Sequence, residues 1–253
     1  MTIIASKRNE QLAKQEDAVI GYLLAGYPSQ SQFMELLHAV EKTALDALEI
    51  GYPSQNPYAD GEIIKAAHLG VDHARACDLD YWRQIRETVS KPIWLMAYRD
   101  DFIADGTYVE FAQEQIMDAI VIPDCTHEEH VRLGEELLQH QVDVIRFIRP
   151  TMSQDEIKRI AAESALLYGQ LYNGPTGSAA QEQQSYQPML ETVLRHSSAR
   201  IYAGFGIDGR DKIQELLGQG FHGTILGTAL IKRLNQSPGE LLSYLHHIKG
   251  GER

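Results

Sequence analysis

Short apolar segments alternate with longer amphipathic ones along almost the whole chain, and this alternation constrains the fold more than any other feature. Eight apolar segments have the length of β-strands, and several are apolar at every position, as in strands that are covered on both faces. They span residues 18–25, 47–51, 92–98, 119–123, 143–149, 166–172, 200–205 and 223–226. Repeated strand–helix units of this kind predict a parallel sheet.

The segments between the strands carry the spacing of helices. Apolar residues recur on one helix face at Phe33, Leu36, Leu37 and Val40. Three helix starts fit a capping box, in which side chains satisfy free backbone N–H groups; the pairs are Ser29 with Gln32, Thr126 with Glu129, and Ser153 with Glu156. Eight such units predict an α/β protein, a single (β/α)8 TIM barrel over residues 1–253, with an open doubly wound sheet as the alternative.

Composition excludes several classes of partner. The 253 residues are 43% hydrophobic and 23% charged, which is typical of a folded globular protein. A formal charge of -12 disfavours binding to nucleic acid or to an anionic membrane, because both require a basic field. It does not disfavour a small phosphorylated substrate, since backbone N–H groups at a helix start can hold a recessed phosphate.

The sequence also predicts a cytoplasmic protein. Cys77 and Cys125 are too few for a disulfide framework and have no metal-ligand spacing. No segment approaches the roughly 20 apolar residues of a membrane span, and the first residues lack the apolar region of a secretion signal. His127 and His130, three positions apart, lack a third ligand nearby, so we expect a solvated first helical turn and no metal.

Glu49 is the first candidate for chemistry. It stands in an otherwise apolar strand, Ala-Leu-Glu-Ile-Gly, where an ionisable side chain is costly to bury. Burial there would raise its pKa, as a general acid–base group near neutral pH requires. The alternative is a structural ion pair with a neighbouring lysine or arginine, and the local sequence leaves both open.

Asp60 ends the loop that follows, directly before a helical pattern. Taken alone, it is expected to cap that helix. Its place one loop beyond Glu49 favours a second interpretation, because two carboxylates at one barrel mouth are a common arrangement for proton transfer. Tyr168 has a similar ambiguity, since an aromatic residue in a strand usually packs in the core.

Glycine-rich turns end the last two strands. Gly204-Phe205-Gly206 follows strand seven and Gly227-Thr228-Ala229 follows strand eight. Barrel enzymes often bind phosphate between these two loops, where glycine permits close backbone approach and Thr228 adds a hydroxyl donor. Glycines that merely end strands are the alternative. The Gly/Ser/Gln-rich segment 174–185, after strand six, could form a lid.

Together these motifs make the chain similar to the α subunit of tryptophan synthase over nearly its whole length. The most specific match is Leu48-Glu49-Ile50-Gly51 followed by Pro53, Pro57 and Ala59-Asp60-Gly61. The supporting matches are Ala25-Gly26-Tyr27-Pro28, Ile122-Pro123-Asp124, Gly174-Pro175-Thr176-Gly177, Gly204-Phe205-Gly206-Ile207 and Gly227-Thr228-Ala229.

The resemblance implies a lyase that cleaves indole-3-glycerol phosphate to indole and glyceraldehyde 3-phosphate without a cofactor. It implies that Glu49 shuttles protons, that Asp60 binds the indole N–H, and that Tyr168 is an active-site tyrosine. Phosphate contacts fall on Gly177, Gly206, Gly227 and Thr228, and the indole pocket on Tyr22, Ile64, Met96, Tyr98, Thr176 and Phe205.

The resemblance also implies a partner, the tryptophan synthase β subunit in an α2β2 assembly. Several departures lie on the face that meets this partner: Asn56 stands where the family usually has Asp, and Thr126 where it usually has Pro. Pro175 replaces the usual Val in the segment after strand six. Two alternatives follow: a divergent paralogue that acts alone or on another phosphorylated substrate, and a barrel that binds a ligand without catalysis.

Overall fold

Eight parallel strands close into a barrel in the computed structural model, which describes residues 3–172 and 185–249. Each strand pairs with the next along the chain, and the last pairs with the first in the register Ile20 to Ile225. The strands are β1 (Ala18–Leu24), β2 (Ala47–Gly51), β3 (Ile93–Met96), β4 (Ala119–Val121), β5 (Asp143–Ile148), β6 (Leu166–Gln170), β7 (Arg200–Gly204) and β8 (Gly223–Leu226). This closure confirms the (β/α)8 barrel and excludes the open sheet.

All eight predicted strands are present, and the predicted and observed ends differ mainly on one side. The predicted strands over-run β1 and β3 to β7 at their carboxyl ends by one or two residues. Several of those extra residues, such as Tyr98 after β3 and Phe205 after β7, line the mouth of the barrel rather than extend the sheet. An apolar pattern cannot distinguish the two cases.

Helices surround the barrel, and three of them, α2, α8 and α9, begin where the capping residues predict. They are α1 (Lys7–Leu12), α2 (Gln30–Val40), α3 (Glu62–Leu69), α4 (His73–Ala76), α5 (Leu79–Thr88), α6 (Arg99–Phe102), α7 (Thr107–Gln113), α8 (His127–Leu138), α9 (Gln154–Ala162), α10 (Gln187–His196), α11 (Arg210–Gly218), α12 (Thr228–Gln236) and α13 (Pro238–His247). Thr126 and Glu129 form the complete capping box. Ser29 and Ser153 each accept the expected backbone N–H, but the Gln32 side chain accepts from the Ser29 hydroxyl. None of the helices within the two described ranges has the length and apolar character of a bilayer span.

The two faces of the strands have different environments because successive side chains alternate between them. Outward residues such as Leu48 and Ile50 pack beneath the helices. Inward residues fill the barrel in a cluster that includes Ala47, Trp94 and Tyr202. This alternation turns Glu49, two positions after Ala47, into the barrel as well.

The helix α1 closes the bottom of the barrel with a polar plug. The Asn9 amide donates to Asp118 O at 3.0 Å and to Asp143 Oδ2 at 2.9 Å, while its oxygen accepts the indole N–H of Trp94 at 2.9 Å. Ser6 Oγ donates to Asp118 Oδ1 at 2.7 Å. Because every one of these buried groups has a partner, the floor is polar without being reactive.

We expect Asn9→Ala to lower the free energy of unfolding by about 2–4 kcal/mol, because it leaves the buried Trp94 N–H without a partner and removes the hydrogen bonds to Asp118 O and Asp143 Oδ2. Urea unfolding followed by tryptophan fluorescence measures this loss. Lys7→Ala, an exposed position on the same helix, is the matched control and should change the value by less than about 0.5 kcal/mol. Equal effects of the two substitutions would show that the plug is not a stabilising network.

Candidate active site

A cavity of about 520 Å³ opens at the carboxyl ends of the strands. Its volume lies in the usual range of small-molecule sites, and its position is where barrel enzymes keep their active sites. The lining residues come from nearly every strand end: Tyr22, Glu49, Tyr58, Ala59, Asp60, Ile64, Met96, Tyr98, Pro123, Asp124, Phe147, Arg149, Thr151, Tyr168, Gln170, Phe205 and Gly227.

Glu49 points into this cavity from β2 and is 4% exposed. Its neighbours across the sheet in register are Tyr22 and Trp94. Within residues 3–172 and 185–249, no lysine or arginine lies at ion-pair distance from it, so the structure does not show the alternative of an ion pair. Burial, and then the negative charge of Asp60, raises the pKa of Glu49 to about 8. At neutral pH the carboxyl group therefore holds a proton that it can release.

Asp60 is a second buried carboxylate, 5% exposed, in the same cavity. It accepts the hydroxyl proton of Tyr98, with an O–O distance of 2.7 Å. The residue at the N-cap of α3 is Gly61, so Asp60 does not occupy the capping position considered from sequence. Asp60 lines the cavity at the barrel mouth instead.

Tyr168 combines packing with a place in the cavity wall. Its ring lies 4.5 Å from that of Phe147 and meets Phe205 edge-on at 6.0 Å. Burial raises the pKa of its phenol well above the ordinary value, and the nearby carboxylates of Glu49 and Asp60 raise it further. The hydroxyl group thus remains a hydrogen-bond donor at neutral pH.

A smaller recess of about 170 Å³ lies between the ends of β7 and β8. It is lined by Gly206, Gly227 and Thr228, which we predict to contact phosphate, and by Lys232. Gly206 has φ of 72°, a left-handed conformation that glycine adopts without strain. The side of Gly227 is open, since a Cβ atom there would meet no atom within 4 Å. The start of α12 contributes its free N–H groups to this space.

One sequence family matches nearly the whole chain: the profile of the tryptophan synthase alpha chain covers residues 9–249. The chain belongs to the tryptophan synthase alpha chain family. The tryptophan synthase alpha chain of Methanopyrus kandleri is 29% identical over 87% of this chain and 82% of its own length. That of Roseiflexus castenholzii is 30% identical over 89% of both chains. Membership makes the chain an enzyme of the lyase type with the role of an α subunit in tryptophan biosynthesis.

Solved structures support the same fold. The tryptophan synthase of Mycobacterium tuberculosis matches with a TM-score of 0.82 over 96% of both chains, at 20% sequence identity. At that identity the similarity shows the barrel architecture alone.

The structure brings together most of the residues predicted for the site. Five of the predicted indole-pocket residues line the cavity: Tyr22, Ile64, Met96, Tyr98 and Phe205. Thr176 and Gly177 lie outside the described residues, as does nearly all of the segment 174–185 with Pro175. The individual roles of the predicted residues remain predictions.

His68 is a residue of this α chain that the sequence analysis missed. Its Nδ1 accepts the backbone N–H of Ser54 at 3.0 Å, so the proton of the neutral ring is on Nε2. Nε2 lies 3.4 Å from the Tyr22 hydroxyl and 3.8 Å from Asp60 Oδ2. Burial, and then His73, lowers the pKa of His68 to about 4. A neutral histidine thus links the loop after β2 to Asp60.

A local signal for His68 exists in the sequence. It follows Ile64 by four positions and therefore lies on the same inward face of α3, where a polar side chain needs a partner.

Lys232 was missed for a similar reason. It follows Thr228 by four positions and so places a cation on the side of α12 that faces the recess between β7 and β8. Within the described ranges, no group of three or more His, Cys, Asp or Glu side chains is arranged to hold a metal ion.

The proton on Glu49 makes stability depend on pH. Between pH 4.5 and about 8 the native state holds this proton while the unfolded chain has released it, so the free energy of unfolding falls as pH rises through this window. We expect wild type to lose on the order of 5 kcal/mol relative to Glu49→Gln across it. Urea unfolding of both proteins from pH 5 to pH 9 measures the difference. A difference that stays constant with pH would show that Glu49 has an ordinary pKa.

Proposed function

We propose that the chain cleaves indole-3-glycerol phosphate to indole and glyceraldehyde 3-phosphate by a retro-aldol-like reaction without a cofactor. The observation that carries this proposal is the placement of Glu49 and Asp60 in one cavity whose remaining lining is largely aromatic and aliphatic. The cavity and the phosphate recess share Tyr168, Phe205 and Gly227. A ligand with an aromatic ring at one end and a phosphate at the other can therefore occupy both.

Glu49 is suited to move both protons of the reaction. In its protonated form it donates to C3 of the indole ring, and the carboxylate that results removes the proton of the glycerol hydroxyl next to the scissile bond. The electrons of the broken C–C bond return to the ring, the carbinol carbon becomes an aldehyde, and Glu49 regains its proton. The pKa of about 8 favours this cycle, because donor and acceptor forms are both accessible near neutral pH.

Asp60 is suited to bind the indole N–H and to stabilise the positive charge that develops on the protonated ring. Its orientation is held by the Tyr98 hydroxyl and by its proximity to neutral His68. Because His68 carries no charge, it does not neutralise Asp60.

The phosphate group is proposed to lie in the recess between β7 and β8. Backbone N–H groups at the start of α12 and the Thr228 hydroxyl supply donors there, and Lys232 supplies the positive charge. Phe205 separates this recess from the indole pocket. Its φ of 75° is unusual for a residue with a side chain and costs about 1–3 kcal/mol, as is often found at ligand sites.

We further propose that the barrel mouth docks the β subunit of tryptophan synthase in an α2β2 assembly. The departures from the family lie on this rim and are exposed: Asn56 donates its N–H to Ser54 Oγ, and Thr126 caps α8. Both residues therefore make contacts within this chain that do not require a partner subunit. Tyr58, 54% exposed and packed on Tyr98 at 4.9 Å, adds an aromatic surface.

A second candidate is a paralogue that acts alone or on another phosphorylated substrate by the same chemistry. One observation favours it: Arg149 and Gln170 place polar groups in a cavity wall where an indole ring needs none. Turnover of indole-3-glycerol phosphate, measured with and without a β subunit, separates the candidates. Full activity of the isolated chain would favour the paralogue.

We expect Glu49→Gln to lower kcat for indole formation by about 10²–10⁴-fold with little change in KM, because it removes the proton shuttle and preserves shape. Asp60→Asn should lower kcat by about 10²-fold or more, since it removes a charge that acts in the transition state. Steady-state release of indole measures both. Wild-type rates in both variants would exclude the proposed mechanism.

We expect Gly227→Ala to raise KM for indole-3-glycerol phosphate about tenfold or more, because its methyl group would fill the space proposed for phosphate. The fold should be unaffected, since no atom lies within 4 Å of that methyl group. Gly134→Ala on α8, which is equally open, is the matched control and should leave KM unchanged. An unchanged KM in Gly227→Ala would place the phosphate elsewhere.

A further inference from the structure

Tyr172, two residues after the end of β6, lines the recess between β7 and β8. Its ring meets that of Phe205 edge-on, with 5.7 Å between the ring centres. A Cβ atom at Gly206 would lie 2.9 Å from Cε1 of this ring, a carbon next to the one that carries the hydroxyl group. The hydroxyl end of Tyr172 therefore lies against the glycine turn that the phosphate is proposed to contact.

The hydroxyl group of Tyr172 is buried and has no hydrogen-bond partner among the described residues. The residue is 6% exposed, and its hydroxyl oxygen is shielded from solvent. Buried polar groups are normally hydrogen-bonded, because losing water without a replacement partner costs free energy. Arg149 Nε is a second such atom at the barrel mouth, but it belongs to the wall of the main cavity. Tyr172 thus brings an unused donor to the recess.

The neighbouring tyrosine gives a second indication of where this hydroxyl group lies. Burial, and then the charges of Glu49, Asp60 and Tyr172, raise the pKa of Tyr168. An electrostatic effect of Tyr172 requires the two phenol groups to lie near each other. Because Tyr168 lines both the main cavity and the recess, the Tyr172 hydroxyl group lies near the junction of the two.

The charges of the recess leave room for a neutral donor. Lys232 lines the recess and forms no ion pair within residues 3–172 and 185–249. The acidic residue in the same wall, Asp208, is already paired with Arg233 at 3.0 Å. A phosphate monoester carries about two negative charges near neutral pH, which is more than one lysine compensates. Uncharged N–H and O–H donors must therefore supply the rest of the binding.

We propose that the Tyr172 hydroxyl group anchors the phosphate of the substrate by donating a hydrogen bond to one of its oxygens. This rests on the proposed function for the position of the phosphate, and it adds a binding residue that the sequence analysis missed. A hydrogen bond to a phosphate oxygen is charge-assisted and therefore stronger than one between neutral groups. Thr228 and the start of α12 approach the phosphate from the β8 side, and Tyr172 approaches it from the β6 side.

Calorimetric titration of the full chain with glycerol 3-phosphate tests this anchor. Tyr172→Phe removes only the hydroxyl group, so the dissociation constant should rise about tenfold or more. Tyr202→Phe is the matched control, because it removes another buried hydroxyl group that has no partner among the described residues and lines neither the cavity nor the recess. It should leave the dissociation constant unchanged. Equal affinity in wild type and Tyr172→Phe would overturn the proposal.

Stability in the absence of ligand distinguishes a phosphate anchor from a hydroxyl group that serves the fold. Because the Tyr172 hydroxyl group makes no hydrogen bond among the described residues, Tyr172→Phe should leave the urea midpoint of the free protein unchanged or raise it. A fixed concentration of glycerol 3-phosphate should raise the midpoint of wild type more than that of the variant. A lower midpoint of the free variant together with unchanged ligand affinity would show a structural role instead.

Inorganic phosphate identifies the part of the ligand that the hydroxyl group contacts. Its binding can be followed by phosphorus NMR, and Tyr172→Phe should weaken it by a factor similar to that for glycerol 3-phosphate. If the loss were confined to glycerol 3-phosphate, the hydroxyl group would contact the glycerol chain, and the phosphate anchor would be wrong.

These measurements separate the inference from the proposed function, because binding of glycerol 3-phosphate requires no turnover. If Tyr172→Phe weakens this binding but indole-3-glycerol phosphate yields no indole, the proposed reaction fails and the phosphate anchor stands. If indole is formed and Tyr172→Phe changes neither the binding of glycerol 3-phosphate nor KM, the reaction stands and the anchor fails.

Discussion

Closure of the barrel turns every second strand residue into the enclosed interior, and the chemistry of the molecule depends on this constraint. At the bottom, the polar groups of the α1 plug are paired, as the Asn9 amide is with Trp94 and Asp143. At the top, Glu49 and Arg149 lack such partners among the described residues. The same burial therefore stabilises one end and makes the other end reactive.

The fold was largely predictable because a parallel barrel has a strong local signature. Each strand is buried on both faces and reads as an apolar run, and its helix begins at a residue such as Thr126 or Ser153. Closure of the sheet into a barrel was harder to predict, because a doubly wound sheet has the same sequence signature along the chain. Pairing between β1 and β8 is a contact between distant segments, and no local pattern encodes it.

The site was predictable only in part, for the same physical reason. Glu49 is conspicuous in sequence because it interrupts an apolar run, whereas His68 lies in a helix where a polar residue is unremarkable. Its function as a link depends on Ser54 and Asp60 coming close in space. Arg149 is similarly ordinary as a residue after a strand, and only its lack of a partner distinguishes it. The sequence of one segment cannot show that a side chain lacks a partner in the folded protein.

The two recesses meet at Tyr168, Phe205 and Gly227, and this junction has a consequence for the end of the reaction cycle. If the proposed cleavage takes place at this junction, a different force would hold each product: apolar contact would hold the ring, and N–H groups and Lys232 would hold the phosphate. Salt weakens the second force and leaves the first nearly unchanged. The ionic strength of the medium would then change how fast the phosphorylated product departs relative to the ring.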